Sequence, residues 1–114
     1  MISDYGTNDH AVDGTAAATF QGWLGNLLDA INIADSTIRC WVLSPLLRND
    51  AFENAGLDAI RTACGTVCTA RASYATHIAG KTILSHPGDF DDDVHPNDAG
   101  HINLNTALAA VIYP

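Results

Sequence analysis

The 114-residue chain is predicted to fold as one α/β domain around a parallel sheet, and three observations lead there. Strand-like and helix-like patterns alternate from one end to the other. The strand patterns are far enough apart for a helix to cross over between them, which favours parallel, right-handed βαβ units. Polar residues gather in the segments that follow strands, the edge at which open α/β sheets bind their ligands. At this length the chain can bury a single core, but it is short for an open sheet covered by helices on both faces.

Taken in order, Ile2-Ser3-Asp4-Tyr5 is a short apolar start that runs into the turn Gly6-Thr7-Asn8-Asp9, and it reads as the end of a strand. From about Thr15 to Ile33, Phe20, Trp23, Leu24, Leu27, Leu28 and Ile31 recur at intervals of three and four, as one buried helix face requires. Thr37 to Leu43 is β-branched and aromatic and is closed by Ser44-Pro45, so it is expected to be an interior strand. After a loop through Asn54, a second helix is expected from Gly56 to Ile78, with Leu57, Ile60, Ala63, Cys64, Val67, Ala70, Tyr74 and Ile78 on its buried face and Gly80 as its stop. Lys81-Thr82-Ile83-Leu84 reads as a third strand, ended by Ser85-His86-Pro87-Gly88. A last helix is expected from about Asn97 to Ile112, with Ile102, Leu104, Leu108, Val111 and Ile112 as its buried positions.

Composition narrows the function classes. Five Lys plus Arg against thirteen Asp plus Glu leave a formal charge of −8, which repels phosphate backbones and anionic lipid surfaces, so neither nucleic acid nor a membrane is an expected partner. No run reaches the length of a membrane span, and Met1-Ile2-Ser3-Asp4 lacks the regions of a signal peptide. The chain as written is expected in the cytoplasm, with secretion open to a longer parent protein. Cys40, Cys64 and Cys68 cannot all pair within one chain and are expected to be reduced packing residues. No metal or other cofactor is expected.

The chemistry-bearing stretch is Asp91-Asp92-Asp93-Val94-His95-Pro96-Asn97-Asp98-Ala99-Gly100-His101. An acid three residues ahead of a histidine, followed by a backbone-fixing proline, suits a loop that presents carboxylate and imidazole together just before a helix. Asp92 can accept a hydrogen bond from one ring nitrogen of His95 and leave the other free to take a proton. The plainer alternative is a set of polar side chains that cap a helix, and Asn97 or Asp98 is expected to do that. If the segments after the three strands lie at one edge, then Asn8 with Asp9 and Asp92 with His95 converge there from opposite ends of the chain. The other histidines read more simply, His10 as a solvated loop residue, His101 as a surface or packing residue of the last helix, and His77 as a helix C-terminal dipole partner. His86 follows a strand at the active edge; a metal set of His86, Asp89 and His95 is conceivable, although its spacing matches no recognised ligand pattern.

Gly6-Thr7-Asn8-Asp9 resembles the G-x-N-D block of the SGNH, or GDSL, hydrolases, and Asp92-Asp93-Val94-His95-Pro96 with Gly100 resembles their D-x-x-H-P block. Order, separation and the intervening pattern match across essentially the whole chain. The resemblance implies a flavodoxin-like three-layer α/β/α sandwich and a serine esterase, lipase, thioesterase or carbohydrate deacetylase. It implies that Asn8 donates to an oxyanion from a turn supported by Gly6 and Asp9, that His95 is the general base and that Asp92 orients it.

The departures from the family are equally specific. Its nucleophile lies in a G-D-S block on the first strand, and a glycine between that strand and the G-x-N-D turn supplies a second oxyanion donor; this sequence has neither. Residues 1–114 are therefore expected to form a partial domain without the family's first two strands. Ser3, Ser44 and Ser85 lack the sequence context that exposes a nucleophile, and the cysteines lack a basic neighbour to activate them. The expectation is a hydrolase acting on a small ester or an acylated carbohydrate, with its serine supplied by a longer parent or a second polypeptide. The alternative is a non-catalytic binding or assembly module of the same fold. Either way the open sheet edge predicts a homo-oligomer, or a complex with the missing amino-terminal half.

Overall fold

A computed structural model describes the backbone of residues 2–4 and the whole of residues 14–114. In chain order the elements are β1 (Ile2–Asp4), α1 (Ala17–Ala34), β2 (Cys40–Leu43), α2 (Ala55–Thr69), β3 (Ala75–Ile78), a 3-10 turn (Gly80–Thr82) and α3 (Asp98–Ile112). The strands form a parallel sheet in the order β1-β2-β3. The fold is α/β of the flavodoxin-like kind, with a small sheet.

Alternation along β2 decides where the core lies, because successive side chains leave a strand on opposite faces. Cys40 and Val42 point one way and join Phe20, Leu24 and Leu28 of α1, Ile60, Ala63, Cys64, Val67 and Cys68 of α2, and Ala75 of β3 in one cluster. Both crossover helices therefore cover the same sheet face, as two right-handed connections stepping in one direction require. Leu28, Leu57 and Ile60 are wholly inaccessible, and burying each such side chain contributes about 1.5–3 kcal/mol. A bidentate ion pair ties the helices together at the foot of the core: Arg71, just past α2, holds Asp29 of α1 through Nε at 2.7 Å and Nη2 at 2.6 Å, and Tyr74 donates its hydroxyl to the same carboxylate at 2.6 Å.

Several expectations are corrected. The second helix stops at Thr69, and the third strand is Ala75–Ile78, not Lys81–Leu84. The N–H of Arg71 reaches Cys68 O, and those of Tyr74 and Ala75 both reach Arg71 O, so the chain reverses there under the grip of Asp29. Gly80 ends no helix: it lies where the chain leaves β3, against the backbone of Ser44, where a Cβ would overlap the Ser44 carbonyl oxygen. The chain then tightens into a 3-10 turn, with Ile83 N–H on Gly80 O at 3.2 Å. His77 thus belongs to a strand and is not a helix-dipole partner. On α1, Trp23 and Leu27 are exposed although the spacing grouped them with the core. On α3 only Gly100 is buried; Ile102 is 67% exposed, and Val111 and Tyr113 also face solvent. No helix among the described residues is long and apolar enough to cross a membrane.

Candidate active site

Because β2 and β3 run parallel, the segments 44–54 and 79–97 both leave the carboxyl edge of the sheet. The second carries Asp92 and His95 at the tip of a tight ribbon. Asp91 N–H donates to His95 O and Asn97 N–H donates to Asp89 O, each at 3.0 Å, and Phe90 and Pro96 pair as an isolated antiparallel bridge. Beyond the ribbon, Asn97 caps α3 by accepting from Gly100 N–H at 2.9 Å and donates to Gly88 O at 3.0 Å. Asn103, one turn into the helix, donates to Asp89 at 2.8 Å, while the other oxygen of that carboxylate accepts from Ser85 N–H at 2.8 Å. Gly100 closes the junction, since a Cβ there would overlap the Asp89 carbonyl oxygen and come within 3.0 Å of Pro96 Cβ.

At the tip, Asp92 accepts three hydrogen bonds. Its Oδ1 takes the backbone N–H groups of Val94 and His95, both at 2.7 Å, and its Oδ2 lies 2.8 Å from His95 Nδ1. These bonds, that from the His95 ring first, hold the Asp92 carboxyl well below the usual carboxylate range. The carboxylate is therefore ionised at neutral pH and favours the tautomer of the exposed His95 ring that carries its proton on Nδ1 and its lone pair on Nε2. His86, weighed above as a metal ligand, instead places Nε2 at 3.1 Å from the Asp92 carbonyl oxygen and stacks on Phe90 with ring centroids 4.6 Å apart. Among the described residues no group of three or more His, Cys, Asp or Glu side chains is arranged to hold a metal ion.

The in-chain alternatives to a serine nucleophile fare poorly. Ser44 is 1% exposed, and its hydroxyl is occupied by Ile78 O at 3.3 Å and Gly80 N–H at 3.1 Å, so it braces the end of the sheet. All three cysteines are buried in the core, and burial pushes the Cys68 thiol up to about 11, away from the reactive thiolate. Gly6, Asn8, Asp9 and His10 lie outside the described residues. One contact at this edge had no sequence signal: Asn49, in the loop after β2, meets Asp93 through both its backbone and its side chain.

No protein-family model matches the chain, and no curated protein matches it. Among solved structures, it is similar to the crystal structure of a carbohydrate esterase family 3 from Talaromyces cellulolyticus, with a TM-score of 0.74 over 97% of this chain and 19% sequence identity. The chain spans 55% of that protein's length. The likeness is one of fold.

Proposed function

We propose that this chain is the acid-base portion of an SGNH-type serine ester hydrolase. The observation that carries this reading is the Asp92–His95 pair: a carboxylate on Nδ1 at 2.8 Å, an exposed imidazole ring, and a position on the carboxyl edge of a parallel sheet whose fold is similar to that of a carbohydrate esterase.

In the proposed reaction a serine hydroxyl is the nucleophile. Its oxygen bonds to the ester carbonyl carbon while His95 Nε2 takes its proton, and Asp92 stabilises the imidazolium through Nδ1–H. The Asn8 side chain, to which the resemblance of Gly6-Thr7-Asn8-Asp9 to the G-x-N-D block gives this role, donates to the oxyanion. As the carbon–alkoxy bond breaks, His95 returns the proton to the leaving alcohol. Water, deprotonated by the same nitrogen, then hydrolyses the acyl-enzyme and restores the serine. With Ser44 buried and bonded and the cysteines in the core, we assign the serine to polypeptide beyond the described residues, in the same protein or a second chain. The substrate class is a small ester or an acylated carbohydrate.

The test is fluorophosphonate labelling of the natively isolated protein, with whatever polypeptide accompanies it, followed by peptide mapping. The expected result is one adduct, on a serine outside residues 14–114, lost in His95→Ala and Asp92→Ala proteins whose circular dichroism is unchanged. Full labelling of the His95→Ala protein would overturn the assignment of the base. Absence of any adduct would favour the second reading, a non-catalytic assembly module, which the occupied hydroxyl of Ser44 keeps in view.

A further inference from the structure

Three carboxylates in a row, Asp91, Asp92 and Asp93, precede His95, and an imidazole N–H will donate to any carboxylate within reach. An orienting pair needs one partner, because a ring shared among several acids has no fixed direction. Asp92 is selected from its own side by the N–H groups of Val94 and His95. Its neighbour is restrained from across the site. Asn49 donates its backbone N–H to Asp93 O at 2.8 Å and its side-chain Nδ2 to Asp93 Oδ1 at 3.2 Å. Both ends of one residue thus grip one aspartate, holding the strand of the loop with one bond and its carboxylate with the other.

Asn49 can restrain only what it is itself held against, and the loop that carries it is fixed on both flanks. Arg61, on α2 and 7% exposed, donates through Nε to Pro45 O at 2.9 Å and through Nη2 to Leu46 O. The same guanidinium holds Glu53 at 2.6 and 2.8 Å, and Glu53 accepts the Arg48 N–H at 2.9 Å. Arg48 in turn pairs with Asp50. Residues 45–53 therefore form a loop pinned to α2 at its start and its end, with Asn49 between the pins. The path from the core helix to the pair is continuous: Arg61, the 45–48 backbone, Asn49, Asp93, Asp92, His95.

We propose that Asn49 is a positioning residue of this site, which keeps the Asp93 carboxylate off the His95 ring and so reserves Nδ1 for Asp92. The proposal rests on the reading of Asp92 and His95 as an acid-base pair.

The experiment uses the protein with its serine-bearing polypeptide and compares Asn49→Ala with Asn49→Asp. In Asn49→Ala, kcat for a 4-nitrophenyl ester is expected to fall on the order of tenfold with KM unchanged, the scale of a modest misplacement of a catalytic group. Asn49→Asp, nearly the same shape but with a charge facing Asp93, is expected to fall further; a residue that merely fills the loop would tolerate it better than alanine. In an Asp93→Ala background, the further change Asn49→Ala is expected to alter kcat by less than about twofold, because the acid being restrained is gone. Long-range nitrogen–proton NMR of the His95 ring supplies a readout that needs no turnover. The unaltered protein should show Nδ1 protonated, and Asn49→Ala should show a growing share of the Nε2–H tautomer. Equal or better turnover in Asn49→Asp than in Asn49→Ala, or an unaltered ring spectrum in Asn49→Ala, would overturn the proposal. Activity surviving in His95→Ala would overturn the functional reading instead, while the ring spectrum would still report on Asn49.

Discussion

Gly100→Ala and Gly22→Ala make the same chemical change in two helices and should move stability in opposite directions. In an exposed helix interior, alanine is favoured over glycine by up to about 1 kcal/mol. A Cβ at Gly22 would meet nothing within 4 Å among the described residues, so that gain should appear nearly whole, about 1 kcal/mol, or roughly 4 °C in Tm for a domain of this size. At Gly100 the added methyl would overlap the Asp89 carbonyl oxygen and stand 3.0 Å from Pro96 Cβ. A backbone oxygen cannot rotate aside, and this one also accepts the Asn97 N–H at 3.0 Å. Overpacking costs about 1–3 kcal/mol, and weakening that hydrogen bond costs about 1 kcal/mol more. Less the propensity gain, the net loss is about 2 kcal/mol, or roughly 8 °C. The ribbon that rides on this junction carries Asp92 and His95, and a shift near 1 Å costs on the order of a hundredfold in rate. Thermal unfolding followed by circular dichroism, with ester turnover per folded molecule, reads both effects. A Gly100→Ala protein as stable as Gly22→Ala would refute the reasoning, since it would mean that α3 does not press on the ribbon.

Three further outcomes are expected. Ser44→Ala should lower stability by about 1–3 kcal/mol, by leaving the Gly80 N–H without its acceptor, and should leave turnover per folded molecule unaltered; an unchanged urea midpoint would refute the bracing role. Asp29, hydrogen-bonded by Arg71 and Tyr74, is lowered from 3.8 to about 2, and Glu53, where burial is outweighed by hydrogen bonds from Arg61 and Lys81, from 4.5 to about 2. The unfolded chain therefore takes up protons first, and stability present above about pH 4.5 is lost as pH falls towards 2. Glu53→Gln should flatten that part of a profile of urea midpoint against pH, and an unchanged slope would contradict the assignment. The isolated chain should associate at micromolar concentration, since Trp23, Leu27 and Ile33 on α1 and Ile102 and Val111 on α3 are apolar and exposed; a single monomeric species in sedimentation would argue against it.

What could be read from the residues depended on range. Asp92 and His95 are three apart in one loop, so spacing alone brought them within reach, and Asn97 announced itself as a cap. Asn49 and Asp93 are 44 apart, and nothing local marks that meeting. β3 was hidden because Ala70, Tyr74 and Ile78 continue the spacing of the helix before it, while Ala75-Thr76-His77-Ile78 is too short to announce a period of two. On α3 the periodicity was genuine and its interpretation was not. Spacing identifies residues able to share a face, whereas burial requires something to lie against that face, and along α3 only Gly100 is enclosed. Gly100 itself belonged to the family-like motif, but its physical reason, the Asp89 carbonyl beneath it, exists only in three dimensions.

In this loop the carboxylate, the imidazole and the two amides that steady the carboxylate all fall within Asp92–His95. Such an arrangement is a cartridge: a sway of the ribbon carries donor and acceptor together and leaves their mutual geometry intact. Two things are left for the rest of the protein to set: the restraint that Asn49 places on Asp93, and the separation between His95 Nε2 and its reaction partner. Under the proposed function, tuning such a site is a problem of docking one insert at the correct height, and changes in the surrounding loops could alter what is cleaved without rebuilding the pair that moves the proton.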